Sequence, residues 1–453
     1  MTNTLAMRVI LFVCCAATTL ACSSMPGPDA GVTVCEVPTG AGTTHSGDIM
    51  GNERWTAADS PHLITSNVRI FATVTLEPCA VVRLGERNGI QVGSTTQTGK
   101  LVAQGTPTQQ VTFAAVDSSK PWGSISVNVL GSLDFTDTVL VGGANPASAQ
   151  NGGGVVVAYG TASNQPMLTR SLRFVNVTIS NAAGHAVNLQ RMSGFTADSK
   201  NLRVTESGGM ASPWPIVVEA GAVGTLPTVS FLANRSPDIF VEPRGSMPDD
   251  TFKNLGAPYR IGGRLLVAPS VEGSTSTLTV EGGVTLKMDT TSDSGLTVGT
   301  SDTRRGVLIA NGTVAAPILF TSAKDMPAAG DWKNIYFRNT PSSGNAMTYV
   351  TVEYAGGVSG LQGYGCGPAD NDGSVLIVPD SGRPTSAFIQ NSTIRNGGGD
   401  TGLLLGWRSD MSGPDFINTN TFERLPACQV SRWSNDTGAE CPGSTNGSPV
   451  CLL

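Results

Sequence analysis

An all-β solenoid is the fold this sequence predicts, on three observations. The chain spells one succession of motifs twice, its apolar residues alternate with polar ones in short runs, and glycine or small polar residues separate those runs. The two copies occupy residues 61 to 143 and 258 to 357. Repetition bears on the architecture, alternation on the local element and glycine on the connections.

In chain order, Pro61 and Ile64 meet Pro258 and Ile261, TVTLEPCAVVRL from Thr73 meets TLTVEGGVTLKM from Thr277, and GIQVG from Gly89 meets GLTVG from Gly295. GKLVAQGT from Gly99 then meets GVLIANGT from Gly306, VTF from Val111 meets ILF from Ile318, and Trp122 meets Trp332. The offset grows from 197 to 210 residues without shrinking, so insertions collect at the joins. Stacked coils tolerate this, because each packs only on its neighbours. Val74 and Leu76, like Val284 and Leu286, mark the period of two that belongs to strands. Gly85, Asn88, Gly89, Asp293 and Gly295 lie between runs, where sharp turns require positive φ. GGGVVVAYG from Gly152 and DGSVLIVPD from Asp372 read as weaker coils, as do NVTISNAAGHAVNL from Asn176 and NSTIRNGGGDTGLLL from Asn391. Coils of roughly 20 to 30 residues would number on the order of fifteen.

The succession of VTLEPCAVVRL or LTVEGGVTLKM, a GT turn, ILFTS from Ile318 to Ser322, a tryptophan strand and VEYAGG from Val352 to Gly357 resembles the right-handed parallel β-helix repeat proteins of bacterial cell surfaces. It covers roughly Trp55 to Asn420. The resemblance implies a right-handed parallel β-helix of the pectate-lyase-like superfamily without its catalytic motifs, placed at the cell surface. One departure is Cys79, where the pattern has a turn glycine, and a disulfide is expected to have taken its place. The expected order is a signal segment at 1–21, a flexible tether at 22–51, two β-helix halves at 52–250 and 251–425, and a disulfide-rich cap at 426–453.

Composition agrees with this order. Charged residues are 14% of the chain against a usual ~25%, while glycines number 55. Ladders of Asn, Ser and Thr are expected where a charged skin would otherwise lie. A net charge of −6 with no basic stripe argues against nucleic acid as a partner. Arg8 precedes the apolar run VILFVCCAATTLA, which is shorter than the ~20 residues of a membrane-spanning helix and reads as a secretory signal. Thr19, Leu20, Ala21 and Cys22 resemble the lipobox of bacterial lipoproteins, which implies lipidation of Cys22; ordinary signal-peptidase cleavage is the alternative. The expected location is therefore the outer membrane or cell surface, with the membrane reached through an N-terminal lipid. Six further cysteines, Cys35, Cys79, Cys366, Cys428, Cys441 and Cys451, read as three disulfides in an exported chain. Proximity along the chain favours Cys35 with Cys79 and leaves four to staple the C-terminal end.

Residues able to carry chemistry are few. The three histidines comprise His45 in the tether, His62 beside a turn proline, and His185 in a turn, so no Ser/His/Asp set is apparent. Asp370 and Asp372, with Glu353 before them, are the best acidic group; their spacing suits a polar turn, admits calcium as the one candidate cofactor, and offers the carboxylate pair a glycosidase needs. Asp117, Asp134 and Asp137 are not repeated in the second copy. Trp122 and Trp332 recur at one position, which favours interior packing over an exposed sugar platform. Trp407, Arg408 and Asp410 are the leading ligand-contact candidates, since they have no counterpart in the first copy. The function expected is a non-enzymatic, surface-anchored scaffold binding polysaccharide or a surface protein, with a polysaccharide lyase or glycosidase as the alternative.

Overall fold

Alternation sends every second side chain inward, and a chain that repeats this over many short strands can close a core only by coiling. In a computed structural model, residues 34–147, 153–161, 167–291, 293–338, 341–359, 372–379, 383–399, 401–408 and 413–433 are described. The described residues from Cys35 onward form one compact unit. Among the described residues there are 35 strands and one 3-10 turn, Val223–Thr225, with no α-helix. Every pairing between named strands is parallel, between one coil and the next. The protein is a parallel β-helix.

Each coil contributes strands to three faces. In the first half, Glu53–Trp55, Thr73–Leu76 and Gly99–Gln104 open face one. Val81–Leu84 and Val111–Ala115 lie on face two. Ile90–Val92, Ile125–Val127, Gly154–Tyr159, His185–Gln190, Ile216–Glu219 and Ile239–Glu242 follow one another on face three. The paired strands reproduce the duplication: Val81–Leu84 pairs with Val111–Ala115 as its counterpart Thr285–Met288 pairs with Ile318–Ser322.

The halves meet at a sideways step. Ile239–Glu242, last on face three of the first half, pairs with Tyr259–Ile261, which opens face two of the second. Face three of the first half and face two of the second thus form one continuous ladder of fourteen rungs, from Thr43–Ile49 to Thr421–Glu423. At about 4.8 Å per rung it runs about 60 Å. Face two of the first half stops at Val229–Leu232, which among the described residues pairs only with Lys200–Thr205, and face three of the second half starts afresh at Arg264–Val267.

Register offsets run from 19 residues, Thr43 to His62, to 42, Val352 to Ile394. Many coils keep the expected 20 to 30 residues and others exceed it, because insertions loop out between strands while the ladders stay in register. Left-handed corners recur between faces. Asp137, Asn176 and Asn201 have φ of 45°, 54° and 56°, and their side chains bond down the stack: Asn176 Nδ2 donates to Asp137 Oδ1 at 3.0 Å and Asn201 Nδ2 to Asn176 Oδ1 at 2.8 Å. That is the expected polar ladder.

The interior is a column of apolar side chains. Phe113, Phe135, Phe174 and Phe195 stack at centroid spacings of 5.6, 5.4 and 5.3 Å. Trp122 and Trp332 are 0% and 1% exposed and make the same bond in each copy, Nε1 donating at 2.9 Å to the carbonyl oxygens of Val141 and Glu353. Interior packing is their role, and the platform reading does not apply. Cys79 is bonded to Cys35 and holds φ of 65°, close to the 83° of its counterpart Gly283. The turn is thus kept, and the disulfide is added to it. Cys428 is disulfide-bonded as well. Cys22, Cys366, Cys441 and Cys451 lie outside the described residues.

The stretch read from composition as tether contains the strand Thr43–Ile49, paired with His62–Ile70. His45 therefore belongs to the first coil rather than to a linker.

Candidate functional site: the lateral face at the step

The acids singled out by sequence are tied into the scaffold where they are described. Glu353 is buried; it accepts from Thr321 Oγ1 at 2.8 Å and from Arg395 Nε at 2.8 Å. Asp372 Oδ1 accepts the Ser359 amide at 2.5 Å. Asp134 pairs with Arg173 at 2.9 Å, Asp137 belongs to the asparagine ladder, and Asp117 closes a turn onto Ser119 at 2.7 Å. Asp370 and Asp410 lie outside the described residues, as do the side chains of Trp407 and Arg408, whose backbone ends the strand Thr401–Arg408. Among the described residues no three His, Cys, Asp or Glu side chains are grouped to hold a metal.

A cleft of about 520 Å³ opens on face one at the step, lined by Arg170, Gly221, Gly224, Asp250, Lys253 and Thr279 among others. Its most unusual group is Asp250. Burial pushes this carboxyl up to about 6, against the pull of the amides it serves. Those amides are Gly221 at 2.7 Å, Val223 at 3.2 Å, Gly224 at 2.7 Å and its own neighbour Thr251 at 2.8 Å. Both carboxylate oxygens are thereby engaged, and Asp250 bridges the 3-10 turn to the strand Asp250–Phe252. Lys253 Nζ donates to the Leu226 carbonyl at 3.0 Å and Arg170 Nη1 to that of Phe195 at 3.0 Å. Asp250 and Lys253 thus tie the first strand of the second half to the turn beneath it, while Arg170 links two coils of the first half.

The continuous ladder offers a different surface. Within Ile239–Glu242, Ile239 and Val241 point inward, so Phe240 points out; Arg260 and Lys287 follow it in register on the next two rungs. Trp214 lies over Phe240 with centroids 4.0 Å apart and planes at 23°. Both rings are half-buried, so this is an aromatic surface at the protein's boundary rather than in its core. The Arg260 guanidinium lies 5.9 Å from the Trp214 centroid and donates from Nη2 to Asp289 Oδ1 at 3.0 Å. Lys287 Nζ donates to Asp238 Oδ1 at 2.7 Å.

His185 sets the Trp214 backbone. A carbonyl oxygen can only accept, so His185 Nδ1–H donates to Trp214 O, at 2.6 Å. Burial holds this imidazole below its usual pKa, which keeps it neutral and its Nδ1–H tautomer defined. Phe240 and Trp214 had a legible signal: an outward aromatic in an otherwise apolar-in strand, and a tryptophan between Pro213 and Pro215 in the unrepeated part of the first half. Comparison with family models, with curated proteins and with solved structures finds no match to this chain.

Proposed function

We propose that this protein is a surface-anchored, non-enzymatic β-helix scaffold that binds polysaccharide on its lateral face, with Trp214 as the stacking platform. The observation that carries the reading is the Trp214–Phe240 stack beside Arg260 and Lys287. Pyranose rings present a face of C–H groups that packs on an indole, while hydroxyl and carboxylate groups at the ring edge suit guanidinium and ammonium donors. One ring face of Trp214 lies against Phe240, which pre-orders the indole and lowers the entropy lost on binding. The Cys35–Cys79 disulfide fits an oxidising, exported setting. Lipidation at Cys22 completes the anchored picture.

A glycan array on the chain from Cys22 onward tests this reading. Binding to a defined set of polysaccharides is expected, weakened about tenfold in Trp214→Ala, the loss of roughly 1.4 kcal/mol of stacking. Absence of any glycan signal, together with co-purification of a protein, would favour a spacer instead. Release of unsaturated or new reducing ends from uronate polysaccharides would replace binding with catalysis.

A further inference from the structure

His45 and His62 meet at the first coil, on the paired strands Thr43–Ile49 and His62–Ile70. Their nitrogens fix one another's protonation. His62 Nε2 lies 2.9 Å from the Thr56 carbonyl oxygen, which can only accept, so Nε2 carries the hydrogen and Nδ1 is bare. His45 Nε2, 3.1 Å from that bare Nδ1, must donate to it. His45 Nδ1 is then bare as well, and it faces the Glu53 carboxylate at 3.6 Å. Glu53 Oε2 already accepts Trp55 Nε1–H at 2.8 Å, and the Trp55 ring stacks on both imidazoles at 4.1 and 5.2 Å. The remaining charge acting on His62 is Asp59, whose carboxylate accepts the Thr56 hydroxyl at 2.7 Å.

Two protons would enter this cluster on unequal terms. The first fits at His45 Nδ1, where it turns the approach to Glu53 into an ion pair and leaves every other bond in place. The second must go to His62 Nδ1, the acceptor of the bond that joins the rings. Two donors, both cationic, would then face each other across 3.1 Å beside a buried indole. We propose that the His45–His62 pair is a pH-sensitive clasp, which keeps the first coil closed while it carries one proton or none and frees the strand Thr43–Ile49 when both rings are charged. Burial lowers both imidazoles from 6.5, so the closed state is favoured above that value and is lost as pH falls below it. The Cys35–Cys79 bond keeps the freed segment attached at its far end.

Nitrogen-15 histidine labelling of the full chain reads this directly, because only three histidines are present and His185 serves as an internal reference. At pH 7.5 His62 is expected as the Nε2–H tautomer, and on acidification the first proton should appear at His45 Nδ1. Amide exchange across Thr43–Ile49, corrected for its intrinsic rate, should rise at least tenfold once the second proton binds. In His45→Gln the side-chain amide still donates to His62 Nδ1 without acquiring charge, so exchange at pH 7.5 should match the parent and the acid-induced rise should vanish. The opposite tautomer at His62, an acid titration that leaves Thr43–Ile49 exchange unchanged, or a His45→Gln chain that opens on acidification as the parent does would each overturn the clasp.

Discussion

Asp250 and Glu53 occupy equivalent positions, 197 residues apart, yet do different work. Glu53 receives the Trp55 indole, whereas Asp250 receives the amides of a turn. An acid at both positions was visible in the sequence; the difference was not, because it depends on what stacks above each strand. Asp250→Ala would leave the Gly221, Val223 and Gly224 amides without their acceptor, at about 1–3 kcal/mol for each group that stays buried. The pH dependence has a definite sign. A folded pKa of about 6 lies above the ordinary carboxylate value of 3.8, so the Asp250 contribution is full below 3.8 and declines as pH rises through about 6. Urea midpoints of the parent and Asp250→Ala, compared at pH 4 and 7, should show a gap that narrows by on the order of 3 kcal/mol at the higher pH. A gap that is constant or widens would contradict this account.

Strands were the most legible elements. Val74, Leu76, Val284 and Leu286 all point inward as their alternation requires, and each copy's tryptophan sits at one interior position. Of the corner residues Gly85, Asn88, Gly89, Asp293 and Gly295, by contrast, only Gly295, φ 151°, takes a positive φ; at Gly89 it is the Ser124 carbonyl oxygen, 2.4 Å from where a Cβ would stand, that calls for glycine. Non-glycine corners such as Tyr349, φ 50°, and Tyr354, φ 61°, were less legible, because nothing local in a tyrosine signals the left-handed region. The strand Val229–Leu232 is the most exposed consequence of the step. Its neighbour Lys200–Thr205 takes the bonds of alternate residues, as when the Leu202 amide donates to Thr228 and the Glu206 amide to Leu232. The Val229 and Phe231 amides therefore point away from any paired strand. They should exchange ~100-fold faster than the amides of Ile216–Glu219, which is paired on both sides. Equal protection in the two strands would mean that the edge is covered. Its length of four residues and its exposed Ser230 limit the hazard that an open edge carries.

For the whole molecule, the repeat announced a solenoid but not its course. Motif order determines which strand follows which; the face on which a strand lands depends on connection length and on interior packing at the join. The short crossing from Phe252 to Tyr259 carries the chain past the column of the first half's face two, and no pattern in its residues declares this. The candidate ligand residues fared similarly. Trp407, Arg408 and Asp410 were expected to meet a ligand because the copies differ there; Trp214 lies in another unrepeated stretch, and although its flanking prolines mark it in the sequence, its stacking on Phe240 depends on the fold. Anchoring at Cys22 is checked by feeding a fatty-acid analogue: the parent chain should be labelled and Cys22→Ala should not, and label persisting in the variant would rule the lipobox out.

Internal duplication commonly yields two like surfaces side by side, so that a long partner gains avidity by touching both. Here the strand Thr285–Met288 stands in the column of Ile90–Val92 and not in that of its own counterpart Val81–Leu84. Outward residues of these related strands consequently look along different flanks. A flat or fibrous ligand lying along one flank meets only one of the two, and gains no second foothold unless it winds around the rod. Each flank is thereby released from matching the other, and one ancestral surface can diverge into two independent ones.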